Sequence, residues 1–511
     1  MSQALRDARR FEEAQARAIA PEERPAFHLS ARAGWMNDPN GFSWHGGQYH
    51  MFYQYHPYDS HWGPMHWGHA VSGDLLGWRY LPAAMAPDMP YDLYGCFSGS
   101  AVTLPDGRHL LMYTGVSKEA GEGGALRDVQ TQNLAVGDGV DYHKYEGNPV
   151  LTARDLPEGG SPYDFRDPRL WRTEDGWRAL VANNRPGHGG QLLLYKSADL
   201  KGWTLESVLL ENENRLGLMW ECPDLFELDG KQVLLVSAQD MLPQGFEYHN
   251  GNGTFYMIGE IDPQTKRFVP ESDHALDYGI DFYAPQTVLT PDGRRVMIGW
   301  MQNWDTCNLR TPSIPWFGQM SLPRELFLKD GRLYQRPVRE LEALRGEMIA
   351  FEHVAIDSGE IQLPGIRGRM MDIELELEPD GELYNRFAIR FAKGGVYHTG
   401  VSFRPRESVL KVDRKFSGSR RAIIHQRRAK VSHQNGRLRL RLILDRYSVE
   451  VFVGDGEKVM SATVTTELSA RDISFFADGR LSFSVRCWPL NPPMLLPLQA
   501  EGEEPSAAMM I

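Results

Sequence analysis

The chain reads as an all-β protein, a five-bladed β-propeller followed by a C-terminal β-sandwich. Three observations predict this. A turn glycine recurs at Gly47, Gly107, Gly176, Gly230 and Gly293, each opening a similar strand-like run such as Gly230-Lys-Gln-Val-Leu-Leu-Val236. Nine residues before these glycines stand Asp38, Ser98, Asp167, Glu221 and Ala284, so five units share one register and three carry an acid there. Beyond about residue 340 the pattern becomes strict alternation, as in Leu438-Arg-Leu-Arg-Leu442, which marks antiparallel sheets with one polar face.

The elements follow in order. Residues 1–24 form an N-terminal helical extension: residues 4–19 are rich in Ala, Arg, Glu and Gln and read as one surface helix ended by Pro21. Residues 25–337 form the propeller. Four of the five turn glycines follow an Asp, the Asp-Gly hairpin signal. Successive glycines are 60, 69, 54 and 63 residues apart, enough for four strands with generous loops, and radial repetition of such units is a propeller. Ordinary sandwich hairpins would not need a shared nine-residue offset. Asp38-Pro39, Asp167-Pro168 and Ala284-Pro285 put proline at one offset, as expected on the innermost, edge strand of a blade. Residues 338–350 are a linker, with a short helix expected over 338–347. Residues 351–498 form the sandwich, whose edges could pair in a homo-oligomer. Residues 499–511 are a loose acidic tail.

With 511 residues the chain is long enough for two sizeable cores, and 42% apolar with 24% charged residues is an ordinary globular mixture. A net charge of −12 provides no overall basic field for nucleic acid or an anionic membrane. The local basic run of Arg420, Arg421, Arg427, Arg428 and Lys430, followed by Arg437, Arg439 and Arg441, reads as the solvated face of a strand pair. Cys96, Cys222, Cys307 and Cys487 are far apart, which fits reduced thiols in a cytoplasmic protein. The charged N-terminus has no signal-peptide core, and no run of 18 apolar residues exists.

Three acids in register point to acid/base chemistry at a central site. Asn37 and Asn40 flank Asp38, a setting that favours the charged carboxylate, and Arg166 would do the same for Asp167 if the two side chains meet. Glu221 lies among Met219, Trp220 and Cys222, where desolvation would raise its pKa. On that logic Glu221 is the proton donor, and either Asp38 or Asp167 the nucleophile. A lone Asp in such a setting is usually a turn residue, but three in register are not. Trp35, Trp62, Trp67, Phe97, Tyr283, Trp300 and Trp304 fall near the inner-strand positions and could stack on sugar faces, although most of the 13 tryptophans are expected in the core. His61, His66 and His69, with Asp59 nearby, match no zinc spacing, so no metal is expected. Ser98 is not in a nucleophile elbow, which argues against a serine hydrolase.

Across about residues 25–490 the ordered motifs resemble glycoside hydrolase family 32, the invertase and fructan hydrolase family. They are Trp35-Met-Asn-Asp-Pro-Asn-Gly41, Tyr53-Gln-Tyr-His-Pro57, His61-Trp-Gly63, Phe97-Ser-Gly-Ser100, Arg166-Asp-Pro168, Glu221-Cys-Pro223 and Asp281-Phe-Tyr-Ala-Pro-Gln286. Asp445-Arg-Tyr-Ser-Val-Glu-Val-Phe452 resembles the family's sandwich motif. The resemblance implies retaining hydrolysis of terminal β-D-fructofuranosides, such as sucrose and short fructo-oligosaccharides, without metal or organic cofactor. By resemblance Asp38 matches the nucleophile, Glu221 the acid/base and Asp167 the transition-state stabiliser. Asn37, Gln54, Trp62, Phe97, Ser98, Arg166, Cys222, Tyr283 and Trp304 are then the expected sugar-binding residues. Competing expectations are a sucrose 6-phosphate or fructan exo-hydrolase of the same mechanism, an inverting arabinanase-like propeller enzyme, and a non-catalytic sugar-binding protein.

Overall fold

The computed structural model describes residues 1–307, 315–418 and 424–492. Asp38, Ser98, Asp167, Glu221 and Ala284 lie on five separate strands: Gly34–His45, Gly95–Thr103, Phe165–Thr173, Met219–Leu228 and Tyr283–Leu289. Each of these is the first strand of an antiparallel sheet whose remaining strands follow outward in chain order. Neighbouring first strands also pack on one another, so they form the innermost ring of a five-bladed propeller. The ring is stitched by Trp316–Phe317. This short strand leaves the fifth blade and pairs in parallel with Gly34–Trp35 of the first, so that one inner strand is not a free edge.

All five inner strands share an irregularity. Their pairing with the second strand slips at Met36/Pro39, Phe97/Gly99, Arg166/Arg169, Glu221/Asp224 and Tyr283/Gln286. A bulge leaves its extra residue unpaired and turns side chains out of the normal alternation. It therefore accommodates proline directly, beyond what an edge position requires. The bulged residues Asp167, Cys222 and Ala284 have positive φ, 63°, 48° and 50°. Measured from the bulge, Cys222 is the counterpart of Asp167 and Ala284, while Glu221 matches Arg166 and Tyr283. The turn glycine is thus not a fixed ruler. The hairpin loop is two residues between Thr173 and Gly176 and also between Leu228 and Lys231, but the glycine lies inside the second loop only.

The N-terminal helix spans Gln3–Ala16, with Ser2 Oγ accepting from Leu5 N. It is not only a surface helix. Leu5, Ala8 and Glu12 are buried, and Glu12 accepts a hydrogen bond from Ala83 N at the first blade's outer strand. The short helix expected in the linker is a 3-10 helix over Arg339–Leu344. The C-terminal strands curl around one long strand, Asp472–Pro489. Its first half pairs with Arg386–Gly394 and its second with Met371–Pro379, giving the two leaves of the sandwich.

Apolar residues of the sandwich, Ile443, Phe452, Val459 and Leu490, join the core beneath the first and fifth blades. Buried charges cross the same interface. His28 bonds Asp445 (2.7 Å) and Glu450 (3.0 Å), and Arg324 bonds Glu450 (2.8 Å) and Asp277 (3.0 Å). In the basic run, Arg427, Arg428 and Lys430 lie on the terminal strand Gln426–Lys430, while Arg439 pairs with Asp455 and Arg441 with Asp372. Arg420, Arg421 and the tail 499–511 lie outside the described residues. Among the described residues no helix is long and apolar enough to cross a membrane.

Candidate active site

The bulges bring the three acids together at one end of the ring. Ser98 Oγ donates to Asp38 Oδ2 at 3.0 Å. Cys222 N donates to Asp167 Oδ2 at 2.9 Å, and the Cys222 thiol lies 3.5 Å from Asp167 Oδ2 and 3.7 Å from Asp38 Oδ2. Beside this group, the residues just before three bulges meet. Arg166 Nε donates to Glu221 Oε1 at 3.0 Å and Tyr283 OH to Glu221 Oε2 at 2.7 Å. Gln239 Nε2 also donates to Glu221 Oε2, at 2.8 Å.

Two electrostatic expectations are overturned. Asp38 does not have a setting that favours charge: burial first, then repulsion from Glu221 and Asp167, push its carboxyl up to about 7. Hydrogen bonds from Asn37 and Ser98 oppose this but are outweighed; Trp35 Nε1 donates to Asn37 Oδ1 (2.7 Å), which leaves the Asn37 amide nitrogen as its donor. Asp167 is pushed up to about 6 by burial and by the charge of Glu221, which outweigh Arg166 and the Cys222 N–H. Arg166 adjoins Asp167 in sequence, yet its guanidinium bonds Glu221, Asp164 (3.0 Å) and Gln130 (3.3 Å).

The apolar surroundings expected of Glu221 are not what the fold builds. Glu221 is not wrapped in apolar groups, because Trp220 points away into the core beneath the fourth blade and bonds Leu216 O. Glu221 faces donors instead. Burial and the adjacent acids hold the Cys222 thiol and the Tyr283 phenol well above their ordinary values, so both stay protonated. Burial works against the charge of Arg166, but the surrounding carboxylates hold it well above its ordinary value as the local cation.

The aromatic residues divide. Trp67 and Trp300 are fully buried, and Trp67 Nε1 donates to Phe97 O at 3.1 Å. Trp35, Trp300, Trp304 and Phe317 pack together, Trp35 stacking on Phe317 at 4.8 Å and on Trp304 at 6.4 Å. Phe97 is half-buried and Trp62, 48% exposed, meets it edge-on at 6.1 Å, so this pair stands at the rim. Gln54 is buried and braces the second blade by donating to Cys96 O at 3.0 Å. The three spaced histidines diverge: His61 pairs with Asp59, His66 with Pro64 O and His69 with His50.

Gln239 and Gln130 were not anticipated. They lie on second and third strands, whereas the register of acids draws attention to inner strands alone. The available signal was a polar residue closing an apolar run, as Gln239 does after Val233-Leu-Leu-Val-Ser-Ala. Chemically, the site offers a carboxyl held by three donors and two deeper carboxyls that repel it and each other. Such a cluster shares protons among its members and suits acid/base work.

The profile "Glycosyl hydrolases family 32 N-terminal domain" matches residues 28–337, and the family 32 C-terminal profile matches 340–489. An Escherichia coli sucrose-6-phosphate hydrolase is 38% identical over 469 residues, covering 89% of this chain and 91% of that protein. A raffinose invertase from Escherichia coli is 37% identical, covering 89% and 92%. A Bombyx mori GH32 β-fructofuranosidase superposes with a TM-score of 0.81 at 35% identity, covering 96% of this chain and 98% of that one.

Proposed function

This chain belongs to glycosyl hydrolase family 32, and on that premise we propose that it is a retaining β-fructofuranosidase acting on sucrose and short fructo-oligosaccharides. One observation supports this most directly: Asp38 and Asp167 share the Cys222 thiol, and Glu221, held in different surroundings by Arg166, Tyr283 and Gln239, is close enough to repel both. In the proposed reaction a carboxylate oxygen of Asp38 attacks the anomeric carbon of the fructosyl group. Glu221 gives its proton to the glycosidic oxygen, the bond to it breaks, and the aglycone leaves. Water then attacks the anomeric carbon, Glu221 takes its proton, and Asp38 is released. Arg166, Gln239 and Tyr283 orient Glu221. Asp167, fixed by Cys222 N, is placed to hold fructose hydroxyls as charge develops on the ring. Asn37, Gln54, Ser98 and Cys222 line or brace this pocket, and Trp62, Phe97 and Trp304 border its mouth. The carboxyls suffice for these steps. Four separate free thiols suit a cytoplasmic enzyme.

Asp38→Asn, Asp167→Asn and Glu221→Gln should each lower sucrose turnover by about 10²–10⁴-fold while the fold persists. NMR should show β-fructofuranose as the first product, as retention requires. Release of the inverted anomer first would favour an arabinanase-like mechanism, and binding without product would favour a sugar-binding protein.

The similarity to a sucrose-6-phosphate hydrolase supports a second reading, in which the phosphorylated disaccharide is preferred. Turnover of sucrose, sucrose 6-phosphate, 1-kestose, inulin and levan decides between them. Faster hydrolysis of inulin or levan than of sucrose would point to a fructan exo-hydrolase instead.

A further inference from the structure

Just before the fifth inner strand, residues 277–281 run alongside the sandwich strand Lys458–Thr463. Tyr278 N donates to Val459 O (2.8 Å) and Ile280 N to Ser461 O (2.7 Å). The approach is close enough that a Cβ on Gly279 would lie 2.1 Å from the Ser461 backbone. At the end of this segment Asp281 is fully buried, and its Oδ2 receives three hydrogen bonds from the sandwich. These come from Arg414 Nη1 (2.6 Å), Thr463 N (2.7 Å) and Thr463 Oγ1 (2.8 Å). Tyr283, two residues on, is the phenol that donates to Glu221.

A buried ion pair is weak evidence of stabilisation, because desolvation offsets most of its attraction. Its strength is in fixing one geometry, and here the geometry fixed is the entry to the strand that bears Tyr283. We propose that Arg414 and Thr463 of the sandwich are positioning residues for the reaction: by seating Asp281 they hold the Tyr283 hydroxyl against Glu221. The sandwich is then part of the proton-transfer apparatus as well as a support for the propeller. This rests on Glu221 being the acid proposed above.

The test uses leaving-group dependence. Sucrose needs its departing oxygen protonated, whereas a 4-nitrophenyl β-fructofuranoside leaves well without a proton. Glu221→Gln sets the reference and should lose far more kcat/KM, which reads the bond-breaking step, on sucrose than on the aryl fructoside. If it loses both equally, the assignment of Glu221 fails and the inference with it. With that signature in place, Arg414→Met and Thr463→Val should lower kcat/KM on sucrose about tenfold and leave kcat/KM on the aryl fructoside within about twofold. Tyr283→Phe should do the same. Combined with Arg414→Met it should lower kcat/KM on sucrose little further, because both changes break one chain of contacts. Arg414→Lys should recover part of the loss. Should Arg414→Met not fold, Thr463→Val and Asp281→Asn carry the same test. Equal losses on both substrates, or no loss in folded variants, would overturn the proposal while leaving Glu221 as the acid.

Discussion

At the residue scale, the centre of the site stores unfavourable electrostatics. Asp38 has an ordinary carboxyl value near 3.8 unfolded and about 7 when folded, with burial as the first cause. A raised folded value means that the native state holds its proton more tightly than the unfolded chain. The resulting stability is full below about 3.8 and is lost as the pH rises through about 7. Asp38→Asn removes the charge and should stabilise the protein by about 2–4 kcal/mol at pH 8, with little gain at pH 4. Urea unfolding at the two values checks this, and a destabilised variant at pH 8 would contradict the burial argument. Activity follows the same group. Because attack needs ionised Asp38, kcat/KM should fall as the pH drops below about 7, well above the range of an isolated carboxyl. Only part of this was legible in the sequence. The three acids were, because their register is visible, but neighbours in sequence misled about charge. Burial and the two other acids outweigh the donors Asn37 and Ser98 at Asp38, and Arg166 reaches past Asp167 to Glu221.

At the element scale, the repeated bulge places the chemistry, and side chains of adjacent blades satisfy it. The N–H of bulged Asp167 is accepted by Thr114 Oγ1 (3.0 Å), and that of Ala284 by Ser237 Oγ (2.9 Å). Thr114 and Ser237 sit at the same point of their second strands, opposite Phe97 and Glu221. In the third blade that point is Ala182, which has no hydroxyl, and the N–H of Cys222 turns to the Asp167 carboxylate instead. The third blade thus lacks the hydroxyl that Thr114 and Ser237 supply, and an active-site acid takes its place. Thr114→Val would leave a buried N–H unpaired beside Asp167. It should cost about 1–3 kcal/mol and lower kcat, measured by urea unfolding and sucrose turnover. Ser237→Ala should have a similar stability cost. An unchanged unfolding midpoint in both would show that these hydroxyls do not hold the bulges. Strand order and turn positions could be read from periodicity. The bulge could not, since it depends on pairing register, and the glycine count therefore placed Glu221 one residue out of step with Asp167.

At the scale of the whole molecule, propeller and sandwich share an apolar core and a set of buried charges. His28, from the segment leading into the first blade, lies between Asp445 and Glu450 of the sandwich. Burial works against its charge, but hydrogen bonds to the two carboxylates outweigh that and push it up to about 9. The stability from its proton is therefore full below about 6.5 and lost as the pH rises through about 9. Wild type should lose about 2–3 kcal/mol across that window, and His28→Gln, though less stable overall, should show a flatter profile. Identical profiles would remove His28 from the interface account. The sandwich motif around Asp445 and Glu450 was visible in sequence, but its partners were not, because His28 is more than four hundred residues away along the chain. The proposed chemistry depends on Asp38 as nucleophile, and trapping tests that most directly. Glu221→Gln enzyme, quenched with acid during turnover of the 4-nitrophenyl fructoside, should gain the mass of one fructosyl unit, and peptide mapping should place it on Asp38. An adduct on Asp167, or turnover with an inverted product and no adduct, would contradict the mechanism.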